Sequence, residues 1–311
     1  MSALITGPVI SLHQLAKRYG KFNALQGFSL DIASGEIFGF LGPNGAGKTT
    51  TIRIVMGLLK ATSGSAQVFG LDAWTSRVEI KRRLGFLPDV GDVYDSLSGA
   101  EALEYLGQLS GRPSKERRRA LSERLALSDA DLHRKIKGYS RGMKRKIAIV
   151  QAMELDPELV IMDEPTEGLD PLMQQALFDL IREQHRKGAT VFMSSHKLSE
   201  VEELCQRVGI LRQGTLVALD TVQQLRQKKV RRLEIEFRNV PIDGLDLPGA
   251  TLLAKDGKRW ALAVQGDVNV VIRALAQHDL VDVVFEQASL EDIFLDFYRQ
   301  PPLPAETARR T

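Results

Sequence analysis

The sequence has a single cysteine, Cys205, in 311 residues. It cannot form an intrachain disulfide or a cysteine-cluster metal site, which fits a reducing compartment. Long apolar runs are missing too. No stretch approaches the ~18 uninterrupted apolar residues of a membrane-crossing helix, and the apolar run Ile37–Leu41 passes at once into a glycine-rich loop. The opening MSALITGPVI lacks the basic start, apolar run and small-residue cleavage site of a secretory leader. The expectation is a protein made and kept in the cytosol, with any membrane role supplied by another chain. Charge of one sign is scarce: 42 Lys and Arg against 39 Asp and Glu leave +3, too little to signal nucleic-acid binding. There is no internal repeat or low-complexity tract.

The composition itself, 43% hydrophobic and 26% charged, excludes a mainly disordered chain. At ~150 residues per domain, the length allows one large domain or two. In the first two-thirds, short β-rich runs alternate with helical periodicity, which predicts an α/β fold. Strands are expected near Val9–Leu12, Ala24–Leu30, Glu36–Leu41, Arg83–Leu87, Leu159–Asp163, Thr190–Ser194 and Val208–Leu211. Helices should follow the loop Gly42–Lys48, Pro171 and Leu198. Residues 89–155 hold no strand-like run and read as an inserted helical subdomain, with helices near Gly99–Leu109, Ser114–Ala126 and Gly142–Glu154. The division expected is a first domain over 8–220, a basic linker over 221–230, a small α+β accessory domain over 231–300 and a disordered tail over 301–311. The accessory domain should carry strands at Leu233–Phe237, Thr251–Ala254, Trp260–Val264 and Val281–Phe285, and a helix near Val268–Gln277. A last helix from Ser289 places Leu290, Ile293, Phe294 and Phe297 on one face.

Gly42-Pro43-Asn44-Gly45-Ala46-Gly47-Lys48-Thr49-Thr50 matches the phosphate-loop pattern, with an apolar strand before it and a helix after it. Glycines let the backbone curl until its N–H groups face phosphate oxygens, and the helix N-terminus adds partial positive charge. Lys48 is placed to reach the β- and γ-phosphates, Thr49 to offer its hydroxyl to Mg²⁺, and Thr50 to bind an α- or β-phosphate oxygen. The motif specifies a nucleotide but not which kind.

Leu159–Asp163 is an apolar strand that ends in two acids, Asp163 and Glu164. Strand C-termini of a parallel sheet point at the ligand. Asp163 is therefore positioned to hold Mg²⁺, directly or through water, and Glu164 to accept a proton from an attacking water. Acids at a strand end also cap ordinary loops. The phosphate loop ~115 residues upstream favours the catalytic reading.

With these motifs in order, residues 8–220 resemble the nucleotide-binding subunit of ATP-binding cassette (ABC) transporters. The resemblance implies a P-loop cassette with a mixed sheet core and an inserted helical subdomain. Tyr139-Ser140-Arg141-Gly142-Met143 occupies the place of the family signature, usually Leu-Ser-Gly-Gly-Gln. It implies that Ser140 and Gly142, with Arg141 and Met143 beside them, face the ATP held by a second subunit. Thr166-Glu167-Gly168-Leu169-Asp170 resembles the family D-loop, which puts Asp170 at the dimer seam. Ser194-Ser195-His196 resembles the switch segment, in which His196 bonds the γ-phosphate and orients the catalytic water with Glu164. The other histidines, His13, His133, His185 and His278, carry no such context. Tyr19 sits where the family stacks an aromatic on adenine; a plain strand-end tyrosine is the rival reading.

Two departures stand out. Asp89 replaces the usual Gln, so it can offer oxygen to Mg²⁺, most simply through a bridging water, but cannot donate a hydrogen bond. Arg141 and Met143 replace Gly and Gln of the signature. The resemblance further implies ATP and Mg²⁺ as cofactors, a homodimer or heterodimer clamped head to tail around two ATPs, and a separate transmembrane permease as partner. No nucleic-acid partner is expected. The location implied is peripheral, on the cytoplasmic face of the membrane, with the permease docking near Val90–Tyr105. There Val93, Tyr94 and Leu97 serve either as docking surface or as subdomain core. The details Tyr-Ser-Arg-Gly-Met and Ser-Leu-Glu-Asp-Ile-Phe are similar to the branch that drives ABC-2-type and drug-export permeases. The competing classes are a soluble ABC ATPase of ribosomes or DNA, and a regulator that binds ATP without turnover.

Overall fold

The computed structural model describes residues 7–89, 95–110, 115–227, 231–239, 247–264 and 267–286. The chain divides into two compact units, Met1–Asp220 and Thr221–Thr311.

The first unit opens with β1 (Ile10–Tyr19), β2 (Phe22–Ile32), β3 (Ile37–Leu41), α1 (Lys48–Val55), β4 (Ser63–Val68), β5 (Leu71–Asp72), α2 (Arg77–Lys81) and β6 (Leu84–Leu87). The helical subdomain follows as α3 (Gly99–Ser110), α4 (Lys115–Arg124), α5 (Asp129–His133), a 3₁₀ turn at Ile136–Gly138, and α6 (Arg141–Met153). The unit then returns through β7 (Leu159–Asp163), α7 (Pro171–Arg186), β8 (Thr190–Ser195), α8 (Leu198–Leu204), β9 (Arg207–Arg212) and β10 (Thr215–Thr221).

These strands build two sheets. One, in the order β2-β1-β4-β5, is antiparallel throughout. The other runs β10-β9-β3-β8-β7-β6, and within it β9, β3, β8, β7 and β6 are parallel. Every residue of β3, β7 and β8 is buried, as expected for parallel strands covered on both faces. Phe40 and Phe192 pack with ring centroids 5.7 Å apart, and the Phe28 ring centroid lies 6.1 Å from that of Phe40. Cys205 is buried against Gly39 of β3, and burial together with the Glu200 charge pushes its thiol pKa up.

Several elements differ from the sequence expectation. β1 runs on to Tyr19 through irregular pairing between Leu12 and Leu15, where Gln14 takes a positive φ. β4 was not expected because Ser63-Gly-Ser-Ala-Gln-Val is mostly polar; it forms because Ala66 and Val68 pair beside Leu12 and Ile10. Residues 222–227, read as linker, instead form helix α9 (Val222–Gln227). Thr221 Oγ1 accepts the Gln224 N–H, and Val222 and Leu225, one turn apart, are buried. Among the described residues of 89–155 there is no strand, only an isolated bridge between Ser98 and Lys135. Val93, Tyr94, the last helix from Ser289 and the tail lie outside the described residues. Leu97 is half-buried, and its carbonyl accepts the Ile136 N–H at 2.9 Å.

The second unit continues with β11 (Arg231–Phe237), β12 (Ala250–Asp256), β13 (Arg259–Val264), α10 (Val268–Leu275) and β14 (Leu280–Glu286). Its sheet runs β12-β13-β11-β14, and its pairs are antiparallel. Leu233, Ile235, Phe237, Trp260 and Leu262 meet Val271 and Leu275 of α10 in one core. Among the described residues no helix is long and apolar enough to cross a membrane.

A charge network fastens the helical subdomain to the strand-bearing core. Glu183 of α7 takes Arg117 of α4 at 3.0 Å, Lys187 at 3.1 Å, and Arg124 as well. Burial alone would push the Glu183 carboxyl up; the hydrogen bonds from Arg117, Lys187 and Arg124 outweigh it and hold the pKa at about 2 against an ordinary 4.5. A carboxyl whose folded pKa is depressed contributes stability above its unfolded pKa and loses it as pH falls through the folded one. Acid melting curves should therefore be steeper for the parent than for Glu183→Gln between pH 4.5 and about 2; superimposable curves would remove Glu183 from the acid response.

Candidate functional site

Parallel register brings three strand ends together. Leu41 pairs with Ser195, and Asp163 pairs with Ser194. The loop after β3, the two acids at the end of β7 and the His196 segment after β8 therefore lie side by side at one edge of the sheet. The Gly42 N–H also donates to the Ser195 carbonyl at 3.3 Å.

The loop turns into α1 at Gly47, where φ is +111°. A Cβ there would lie 2.7 Å from Leu25 Cδ2 and 2.9 Å from the Ala24 carbonyl, so only glycine fits. Gly42 is crowded too: a Cβ would meet the Leu211 carbonyl at 2.5 Å. Asn44, Gly45 and Thr49 are exposed, Pro43 and Thr50 half-buried, and Ala46 buried. Lys48 is buried and folds back along the loop. Its Nζ donates to Gly42 O at 2.5 Å and Pro43 O at 3.3 Å, and pairs with Glu164 Oε1 at 3.1 Å.

Glu164 stands in a left-handed backbone conformation, φ +48°, which costs on the order of 1–3 kcal/mol for a residue with a side chain. Its neighbours fix it there. Its N–H donates to Ser194 O and Ser194 Oγ, both at 3.2 Å, and its carbonyl accepts from Arg145 Nη2. The carboxylate is shared: Oε1 faces Lys48, while Oε2 accepts the His196 N–H at 3.3 Å and lies 2.7 Å from His196 Nδ1. Lys48, Glu164 and His196 thus form one continuous chain of polar contacts.

Asp163 is buried beside this chain and accepts from Ser194 Oγ at 2.5 Å. Asp89 is half-buried after β6. Burial first, and then the charges of Asp163 and Glu164 opposed in part by Arg145, push its carboxyl pKa up. Asp89 therefore shares an acidic field with Asp163 and Glu164.

The signature segment and the D-loop meet within the same chain. Ser140 caps α6, its Oγ accepting the Met143 N–H at 3.2 Å. Arg141 lies along Gly168, with Nη2 3.4 Å from Glu167 Oε1; it is turned onto its own chain's D-loop. Met143 Sδ accepts from Arg134 Nη2 at 2.9 Å, and Gly142 lies beside the Gly168 carbonyl. Asp170 caps α7, accepting the Met173 N–H at 3.0 Å ahead of Pro171. Among the described contacts, none joins Ser140 or Asp170 to the loop 42–48 of their own chain. Tyr19 ends β1, exposed, with Lys17 Nζ 5.2 Å from its ring centroid.

Two buried charged residues that bond the segments of this site, Arg145 and Glu200, went unrecognised in the sequence. Arg145 hides in the basic run 141–146, yet it shares a helical stripe with Ile149 and Ala152, and all three are buried. Glu200 on α8 accepts from Thr166 Oγ1, from Ser195 Oγ at 2.8 Å and pairs with Lys197 Nζ at 3.2 Å. It joins the segment after β7 to the segment that carries His196. Its signal was its place on the buried stripe with Val201 and Leu204. Glu200→Ala should lower folding stability by about 2–3 kcal/mol through the stranded hydroxyls and lost charge-assisted bonds. The reading is a lower denaturant midpoint at unchanged slope; a midpoint equal to the parent's would mean that water replaces the carboxylate.

The ABC transporter family profile matches residues 25–167. The chain is 33% identical to the ABC transporter ATP-binding protein YdbJ of Bacillus subtilis, across 93% of this chain and 94% of that one. It is 32% identical to the fluoroquinolones export ATP-binding protein of Mycobacterium tuberculosis, across 95% of each. Among solved structures, an ATP-binding subunit of an ABC transporter superposes with a TM-score of 0.66 at 30% identity, covering 71% of this chain and 92% of that one. Motif order, strand-end geometry and full-length similarity agree: the chain belongs to the ABC transporter family, as one of its ATP-binding proteins.

Proposed function

We propose that this chain hydrolyses ATP to drive a separate transmembrane permease, as an exporter subunit working from the cytoplasmic face of the membrane. The observation that carries the hydrolytic reading is the Glu164 carboxylate, held between Lys48 and His196 at the ends of three parallel strands. The export direction rests on similarity to a relative named for fluoroquinolone export.

In this reading the loop 42–47 wraps the phosphates with its N–H groups, Thr50 adds a hydroxyl, and Tyr19 supports the adenine ring. Lys48 exchanges its contact with Glu164 for phosphate oxygens, which leaves Glu164 free to take a proton from water. That water attacks the γ-phosphorus, the bond to the bridging oxygen breaks, and ADP and phosphate result. His196, already bonded to Glu164, orients the water and the γ-phosphate. Thr49, Asp163 and Asp89 would hold Mg²⁺, since they offer only oxygen donors and this cation favours oxygen, keeps several waters and leans on substrate phosphates. When bound, it neutralises charge on the triphosphate oxygens.

Ser140 and Gly142, at the N-terminus of α6, serve the ATP of a second subunit, with Arg141 and Met143 beside them and Asp170 at the seam. Two chains, identical or related, would close head to tail around two ATPs.

Three outcomes are expected. Glu164→Gln binds ATP, collects as a closed dimer on gel filtration and loses turnover; hydrolysis at the parent rate would remove Glu164 as the base. Lys48→Ala weakens binding of a fluorescent ATP analogue; full binding would unseat the phosphate-loop assignment. A tagged chain pulled from detergent-solubilised membranes brings down a multi-span protein in near-equal amount, whereas recovery only in the soluble fraction with ribosomal or DNA-repair proteins would overturn the transporter role.

A further inference from the structure

Arg145 is a buried cation that faces no carboxylate side chain at bonding distance among the contacts described. Its Nε donates to Pro165 O at 3.0 Å, one Nη1 hydrogen to Asp89 O at 2.9 Å and the other to Pro88 O. Nη2 donates to Asp163 O at 3.1 Å and to Glu164 O. A guanidinium has five N–H groups in one plane, and all five end on main-chain carbonyls. Those carbonyls come from only two segments, 88–89 after β6 and 163–165 at the end of β7. The arginine itself comes from a third, the first turns of α6, five residues after Ser140.

Burial pulls the guanidinium pKa down to about 10, and only the nearby charges of Asp89, Asp163 and Glu167 resist it. Such a cation is expensive to keep in an interior. The carbonyls it holds include that of Glu164, whose left-handed backbone needs holding. A planar fork with every donor engaged tolerates little sliding. A shift of α6 along its axis must break these bonds or carry both segments with it.

Resting on the proposed ATPase reading, we propose that Arg145 is a positioning residue that couples the two ATP sites of a dimer. It ties the helix that presents Ser140 to one site to the backbone of Asp89, Asp163 and Glu164 in the other. Engagement of Ser140 by the partner's ATP is then transmitted through α6 to the carbonyls that set the Glu164 carboxylate.

The test compares the full-length parent, Arg145→Gln and Arg145→Lys. In Arg145→Gln, kcat should fall about tenfold or more while the KM for ATP moves less than about threefold. Arg145→Lys keeps the charge but not the planar fork, and should recover only a small part of the loss. A purely structural arginine would instead lower thermal stability, analogue binding and turnover together, with Lys restoring them in step; that pattern, or parent-like kcat in Arg145→Gln, overturns the proposal. Hydrogen exchange on the parent, which does not depend on any variant folding, gives the second arm. Adding a non-hydrolysable ATP analogue with Mg²⁺ should raise amide protection in 141–147 and 163–167 together, at the same analogue concentration. Independent responses of those segments in the parent refute the coupling. A parent that neither binds the analogue nor turns over ATP defeats the ATPase reading itself, and the coupling with it.

Discussion

The parallel pairing of β3, β7 and β8 is the constraint on which the site depends. All three strands are buried along their whole length, so a slip of one residue would drive each side chain to the opposite face of a closed core. The register is therefore fixed by packing, and packing in turn fixes where Leu41, Asp163 and Ser195 end. The two acids and the histidine are brought side by side by that register, and the loop 42–47 folds Lys48 back to meet them. Asp163 ends β7, Glu164 and His196 follow β7 and β8 by one residue, and Lys48 stands where the loop that leaves Leu41 enters α1.

What the sheet does not fix is the direction the backbone takes after Asp163. There Glu164 adopts a conformation that its side chain disfavours, and the surroundings hold it through Ser194 on one side and Arg145 on the other. Glu200 performs a parallel task one segment further on, holding Thr166 and Ser195 with a single buried carboxylate. The candidate site is thus framed by two buried charges of opposite sign. Each spends its hydrogen bonds on loops that the strands leave unsupported.

Most of the framework was legible in the sequence, because its signals are strong in physical terms. Ile37–Leu41 and Leu159–Asp163 are continuous apolar runs, and a glycine-rich loop followed by Lys-Thr has few other uses. β4 was not legible: Ser63–Val68 has two buried side chains and owes its conformation to the neighbouring strand β1. α9 was masked by the basic residues around it, which outweighed the Val222 and Leu225 pair. Arg145 lay within Lys144-Arg145-Lys146, a run that composition assigns to solvent; only its phase relative to Ile149 and Ala152 marks it as interior. The exposed side of Arg141 was likewise undetermined until Gly168, which has no side chain, was seen to leave the space along which it lies.

Cys205, packed under β3 against Gly39, has a consequence outside nucleotide chemistry. The thiolate is the form that alkylating reagents attack, and here the thiol is both covered and pushed toward its protonated form. Modification must therefore wait for the packing between α8 and β3 to open. The chain carries a built-in reporter of that opening, readable by mass after timed exposure to a maleimide. A cysteine added on the surface would be the one fast-reacting thiol of each chain, so spectroscopic labels can be placed without altering any native residue.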